Sequence, residues 1–278
     1  MNTPSTVRVF TLNNDLPMPA IGLGVYQMPN GILTQKAVDS ALRYGYRHID
    51  TAMIYRNEES VGKAIASGFV PREQIFVTTK LWNSDQGYDQ ALKACNASLV
   101  RLGLSYVDLY LIHWPVHGKR QDSWRALETL FQEGKCRAIG VSNYMVHHLE
   151  ELLGYCKVMP AVNQIELHPY IYSSRIETID LCRRAGIIPV AYSPLTKGIK
   201  LRDPLLVRIA AGYNKTTAQL LIRWALQQGF AVIPKSSVIS RIADNFRVFD
   251  FTITAEDMAE LDGLGENLAT GWDPADAL

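Results

Sequence analysis

The chain is poor in the features that mark staples, membranes and polyanionic partners. It has four cysteines in 278 residues, Cys95, Cys136, Cys156 and Cys182, and none forms C-x-x-C. Each lies in or beside an apolar, helix-like stretch, so buried free thiols are expected and a disulfide framework is not. No apolar run approaches the roughly 20 residues needed to span a bilayer. The net charge is +1, which excludes a general pull toward nucleic acid or anionic lipid; a bound phosphate would need a local cationic cluster. The opening MNTPSTVRVF has no basic stretch followed by an apolar one. No signal peptide is therefore expected, and a reduced cytoplasmic setting is.

Several catalytic motifs are also absent. His147-His148 is followed by Leu149-Glu150-Glu151 rather than completing H-E-x-x-H, and His117 and His168 lack ligand-spaced partners, so no metal is expected. Gly22-Leu23-Gly24-Val25-Tyr26-Gln27 begins like a dinucleotide loop but lacks the third glycine, and no acidic residue follows at the usual distance of about 20 residues. None of the 13 tyrosines has a lysine four positions later.

What is present is a repeated alternation. Residues 7–18 suggest a hairpin turning at Asn13-Asn14-Asp15. Eight short apolar runs follow, at 20–26, 47–52, 75–80, 107–113, 138–143, 162–167, 188–194 and 231–236. Their near-continuous hydrophobicity suits strands buried on both faces. Between them, Ala91, Leu92, Cys95, Leu99 and Leu102 recur at helical spacing, as do Trp124, Leu127, Leu130 and Phe131, and Leu220, Leu221, Trp224 and Ala225. Gly134 and Gly229 stand where helices would stop, and Thr254 with Asp257 suggests a capping box. The expected fold is α/β: a (β/α)8 TIM barrel with an N-terminal β-hairpin, forming one domain over residues 1–278, with an open doubly wound sheet as the alternative. The tail, NLATGWDPADAL, is expected to be a surface loop.

In such barrels active groups sit where strands end. Asp50 ends the second run, Tyr55 follows it in the loop, Lys80 ends the third and His113 the fourth. Reducing a carbonyl needs a hydride on carbon and a proton on oxygen. A free tyrosine has a pKa near 10. A lysine beside it is expected to lower that value, and an aspartate would keep the lysine charged. Tyr55 is thus the candidate general acid, and His113 a candidate donor to the carbonyl oxygen. The bland alternatives are a strand-end ion pair, a packing tyrosine and a core histidine. His48, two residues before Asp50, shares its face and is expected to be structural.

The strings YRHIDTAMIYRNEESVG at 46–62, TTKLWN at 78–83 and DLYLIHWP at 108–115 resemble, in order, the motifs of the aldo-keto reductases. That resemblance, which covers nearly the whole chain, implies NADPH-dependent reduction of aldehydes and ketones and supports all four catalytic roles. It further implies that Ser142, Asn143 and Gln164 bind the nicotinamide carboxamide and that Tyr192 stacks on its ring. Ser193 and Leu195 would lie in a short loop over the pyrophosphate, with faster cofactor exchange expected from its shortness. Lys235, Ser236, Arg241, Asp244 and Asn245 would hold the adenosine 2′-phosphate and adenine. Asp244 departs from the pattern, since Glu is usual there. Tyr26, Trp82, His113 and Trp114 would face the substrate, with Tyr26 where many relatives have Trp. The short loop after Pro115 and the short C-terminal loop resemble the smaller members, such as bacterial 2,5-diketogluconate reductases and trypanosomatid prostaglandin F synthases, and suggest an open pocket. A keto-sugar acid, an α-dicarbonyl or a prostaglandin endoperoxide all remain candidate substrates, and a monomer is expected. Two other readings are an NADPH-binding sensor subunit on the same fold and a barrel aldolase or isomerase using Lys80 as a Schiff base.

Overall fold

The computed structural model describes residues 8–277; Val7 and the residues before it, read above for a leader and a hairpin start, lie outside that range. The chain opens with an antiparallel hairpin of β1 (Val9–Thr11) and β2 (Pro17–Pro19). The turn places Asp15 at φ 63°, a left-handed conformation that Asp tolerates.

Eight parallel strands then alternate with helices. They are β3 (Leu23–Gly24), β4 (His48–Asp50), β5 (Phe76–Leu81), β6 (Val107–Ile112), β7 (Cys136–Ser142), β8 (Val162–Glu166), β9 (Ile188–Tyr192) and β10 (Ala231–Val232). Each apolar run matches one strand, with β5 ending one residue past its run and β7 beginning two residues before its own. The first and last strands are short, two residues each, yet they close the sheet. Val232 N donates to Ala20 O at 2.8 Å, Gly22 N to Val232 O at 2.9 Å and Gly24 N to Pro234 O at 3.1 Å. The ring is therefore a barrel and not the open sheet.

The principal outer helices are α1 (Ile32–Tyr44), α2 (Glu58–Ala66), α3 (Tyr88–Leu102), α4 (Arg120–Gln132) and α5 (Val146–Tyr155). They continue with α6 (Pro169–Tyr172), α7 (Ile176–Arg184), α8 (Pro204–Gly212), α9 (Thr217–Gln227), α10 (Ile239–Phe246) and α11 (Ala255–Asp262). Gly134 and Gly229 follow α4 and α9 at φ 72° and 83°, as helix stops should. The capping box expected at α11 is half formed: Thr254 accepts from Asp257 N, but the Asp257 carboxylate takes the hydroxyl of Tyr213 instead. Cys95, Cys136 and Cys182 are buried thiols and Cys156 is half-buried.

Two apolar layers hold the barrel. One lies between strands and helices. The other fills the barrel interior, where Phe76, Leu109, Leu111, Ala138, Val162, Val190 and Ile233 meet Leu12, Leu16 and Met18 of the hairpin. The hairpin thus plugs the N-terminal end. Side chains alternate along a strand, so the same inward face continues upward from these residues. It reads Phe76, Thr78, Lys80 on β5; Leu109, Leu111, His113 on and past β6; Val162, Gln164, Glu166 on β8; Val190, Tyr192 on β9. Each of these four columns changes from apolar to polar toward the C-terminal rim.

Gly24 is required at the closing seam. A Cβ there would lie 2.8 Å from Ile233 O, a backbone atom that cannot swing aside. Gly24→Ala should cost about 1–3 kcal/mol by forcing the seam apart, read as a lower urea midpoint; an unchanged midpoint would show that the seam yields freely.

Candidate active site

Three successive strand ends deliver the ionisable groups. Lys80 is wholly buried, and its Nζ donates to Asp50 Oδ1 at 2.6 Å and to Thr51 O at 2.9 Å, and lies 3.5 Å from Tyr55 Oη. The second Asp50 oxygen accepts from Gln164 Nε2 at 2.8 Å. Asp50 is therefore satisfied at both oxygens, which a carboxylate with 2% exposure requires. His48 sits one layer below, buried, with Nε2 3.0 Å from Thr78 Oγ1.

Tyr55 is carried by a single 3-10 turn, Met53–Tyr55, closed by Arg56 in the left-handed region at φ 55°. Asn57 braces this loop. Its buried amide donates to Val25 O at 2.9 Å and Met28 O at 3.0 Å, and accepts from Thr51 Oγ1 at 2.7 Å. The loops bearing Tyr26 and Tyr55 are thereby joined, and the two rings stand 5.0 Å apart. Nothing in the local sequence pattern separates Asn57 from an ordinary loop asparagine.

The electrostatics correct one expectation. Tyr55 was expected to be acidified by Lys80. In the structure burial pushes its phenol well above 10, and Asp50, Tyr192 and Tyr26 push it the same way. Burial outweighs the help of the Lys80 ammonium, whose Nζ lies 2.6 Å from Asp50 and 3.5 Å from the phenol. Burial also pulls the Lys80 ammonium below its usual value, with Asp50 opposing. Burial, then Lys80, holds the His113 imidazole well below 6.5, so it is neutral at physiological pH.

Around these groups stand the aromatic residues singled out from the sequence. Trp82 meets His113 edge-on at 5.2 Å, Trp114 stacks on His113 at 6.3 Å, and Tyr55 meets His113 at 5.8 Å. One wall was missed. Trp272, in the C-terminal loop, tilts over Trp114 at 4.7 Å. The tail is indeed at the surface and has only a short 3-10 turn, but it is tied down, and the rim is less bare than its length suggests.

Beside the tetrad lies an amide-rich corner. Ser142 Oγ donates to Gln164 O at 2.8 Å, Asn143 Nδ2 to His113 O at 2.9 Å, and Tyr192 Oη to Asn143 Oδ1 at 2.8 Å. Asn143 adopts φ 64°, which turns its amide back over the strand ends. A separate group follows β10. Lys235 and Arg241 are exposed, and neither has a carboxylate partner among the described residues. Ser236 Oγ accepts from Val238 N at 3.1 Å at the entrance to α10. Asn245 is buried, and Asp244 pairs at 3.4 Å with Arg247. Ser193 and Leu195 lie in the loop after β9, with Ser193 at φ 48°. No hydrogen bond joins the residues after β10 to the tetrad among the described residues.

Comparison with known proteins agrees with this geometry. The model of the aldo/keto reductase family matches residues 20–266. The chain is 48% identical to a glyoxal reductase of Bacillus subtilis over 267 residues, 96% of each protein. It is 49% identical to a 9,11-endoperoxide prostaglandin H2 reductase of Trypanosoma cruzi over 267 residues, 95% of this chain and 94% of the relative. Among solved structures, an aldo/keto reductase from Brucella melitensis superimposes with TM-score 0.89 at 46% identity, covering 93% of this chain and 100% of that one. A Bombyx mori aldo-keto reductase in complex with NADP superimposes with TM-score 0.89 at 34% identity, covering 96% and 95%. A closed barrel that gathers Asp50, Tyr55, Lys80 and His113 at one rim, matched along nearly its whole length by these proteins, places the chain in the aldo/keto reductase family.

Proposed function

We propose that the protein is an NADPH-dependent reductase of aldehydes and ketones in which Tyr55 supplies the proton. The observation that carries this reading is the convergence of a neutral phenol, a buried lysine–aspartate pair and a neutral imidazole beneath an aromatic rim.

The residues present fit the cofactor. Gln164 spends its N–H on Asp50, which leaves its oxygen to accept from a carboxamide. The Ser142 hydroxyl and Asn143 amide lie alongside, and the Tyr192 ring offers a flat face. Lys235 and Arg241, lacking carboxylate partners among the described residues, together with Ser236, suit a phosphate monoester. Asp244 and Asn245 are proposed for the adenine, with Asp244 shared between that contact and Arg247. Ser193 and Leu195 are proposed for the pyrophosphate loop.

Bound NADPH supplies the hydride. This chain's residues do the rest. Among the described residues His113 Nδ1 is buried without a hydrogen-bond partner; the neutral ring carries one N–H, and the role proposed for it is to orient a carbonyl oxygen toward Tyr55. The Tyr55 hydroxyl donates its proton as charge develops on that oxygen. Lys80 stabilises the resulting phenolate, and Asp50 keeps Lys80 in place. Tyr26, Trp82, Trp114 and Trp272 exclude water and select flat or apolar carbonyl compounds. A monomer acting in the cytoplasm, as one domain over its length, is the assembly we propose.

NADPH consumption against a panel of carbonyls tests the reading. Turnover of at least one class is expected. A folded protein that binds NADPH but oxidises it with none of them would overturn it and favour a sensor. Removing the phosphate contacts should separate the cofactors. Arg241→Ala should weaken NADPH binding by about 10–100-fold, the scale of a lost charge-assisted contact, and leave NADH binding unchanged, as read by fluorescence titration. Equal loss for both would refute the phosphate assignment.

A further inference from the structure

Glu166 occupies the last inward position of β8, two residues beyond Gln164, and the chemistry above does not use it. It is a carboxylate with 4% exposure, so its oxygens must be satisfied from nearby. Their partners come chiefly from the C-terminal loop. Thr270 N donates to Oε1 at 3.0 Å, the Thr270 hydroxyl donates to the same oxygen, and His168 Nε2 lies 3.2 Å away. Burial pushes the Glu166 carboxyl up, but the hydrogen bonds from His168 and Thr270 outweigh it and hold it below its usual value.

Thr270 is gripped from its other side too. Its carbonyl accepts from Lys197 Nζ at 2.6 Å, and Lys197 belongs to the loop after β9. Three residues past Thr270, Asp273 pairs at 2.6 Å with Arg175, whose side chain is 4% exposed. Trp272 lies between these two anchors, and its ring rests on Trp114 at 4.7 Å although it is 59% exposed. An indole that exposed is not held by burial. It is held because the backbone on both sides of it is tied to buried charges.

We propose that Glu166 is a specificity-determining positioning residue: by latching Thr270 it holds Trp272 against Trp114 and sets the size of carbonyl compound the rim accepts. This rests on the proposed reductase function for its kinetic consequence, though not for the latch itself. Gln has the same shape but lacks the charge and one of the two oxygens that Thr270 N reaches, at 3.0 and 3.2 Å, so Glu166→Gln weakens the latch without emptying space.

Two readouts test this. In hydrogen exchange without cofactor or substrate, Glu166→Gln should speed exchange across residues 268–275 by about tenfold or more while the barrel strands stay protected. In kinetics, KM for bulky aromatic aldehydes should change by about 10-fold or more, with KM for a small dicarbonyl and kcat for both nearly constant. Glu166→Gln added to Trp272→Ala should have no further effect on the bulky substrate, because the two act through one contact. If Glu166→Gln fails to fold, Thr270→Val, which removes only the hydroxyl, should give the same effects at smaller size. Unchanged exchange in the loop overturns the latch, and so does a KM change shared equally by bulky and small substrates. A wild-type protein that reduces no carbonyl would fail the functional reading, while the exchange experiment would still decide whether Glu166 holds the loop.

Discussion

Tyr55→Phe should lower kcat for carbonyl reduction by about 10²–10⁴-fold, the span attributable to a positioned proton donor, and leave NADPH binding and the unfolding midpoint almost unchanged. Among the described residues the oxygen to be removed makes one hydrogen bond, from Lys80 Nζ at the long distance of 3.5 Å, so little structure depends on it. The ring remains, with its contacts to Tyr26 and His113. The raised phenol also predicts the pH dependence. A group whose pKa lies well above 10 is protonated throughout the neutral range, so reduction should be flat with pH there and fall only as strongly alkaline conditions deprotonate Tyr55. The reverse reaction needs the phenolate and should instead rise with pH. His113 is neutral far below 6.5, so no step near neutral pH should appear in either profile. Stopped assays of both directions across pH would check this. A Tyr55→Phe variant retaining full kcat, or a reduction rate halved near neutral pH, would remove Tyr55 from the donor role.

How legible all this was in the sequence depended on the range of the interaction. Period-2 alternation is local, so strand ends carrying Asp50, Lys80, His113, Ser142 and Tyr192 could be read directly, and the barrel aims them at one rim. Closure of the barrel was legible as eight repeats, though not the short pairing at Gly22 and Gly24. Three things were hidden. Trp272 sits in a loop without periodicity, and only tertiary anchors bring it to Trp114. Glu166 and Asn57 act through partners about 104 and 29–32 residues away in the chain. The direction of the Tyr55 shift is set first by burial, with Lys80 2.6 Å from Asp50 but 3.5 Å from the phenol, and a list of residue types contains neither the burial nor those distances.

The buried Lys80–Asp50 pair has its largest consequence for stability. Lys80→Met should destabilise the fold by about 3–5 kcal/mol, the cost of leaving one member of a buried pair uncompensated, because Asp50 would retain only the Gln164 N–H. Adding Asp50→Asn removes the stranded charge and keeps an oxygen for Gln164, so the double variant should regain most of the loss. Its activity should not return, since the phenolate would still lack its cation. Asp50→Asn alone behaves differently. A buried ammonium can escape by losing its proton, and burial already lowers the Lys80 pKa from 10.5. Without Asp50 it falls further, so at pH values between the folded pKa and 10.5 the unfolded chain binds more protons than the folded one. Stability of Asp50→Asn should therefore rise with pH across that window, at a slope of up to about 1.4 kcal/mol per pH unit, whereas the double variant should show no such slope. Urea denaturation of the three variants at several pH values separates these outcomes. If the double variant is as unstable as Lys80→Met, the loss comes from packing around the lysine chain and not from a stranded carboxylate.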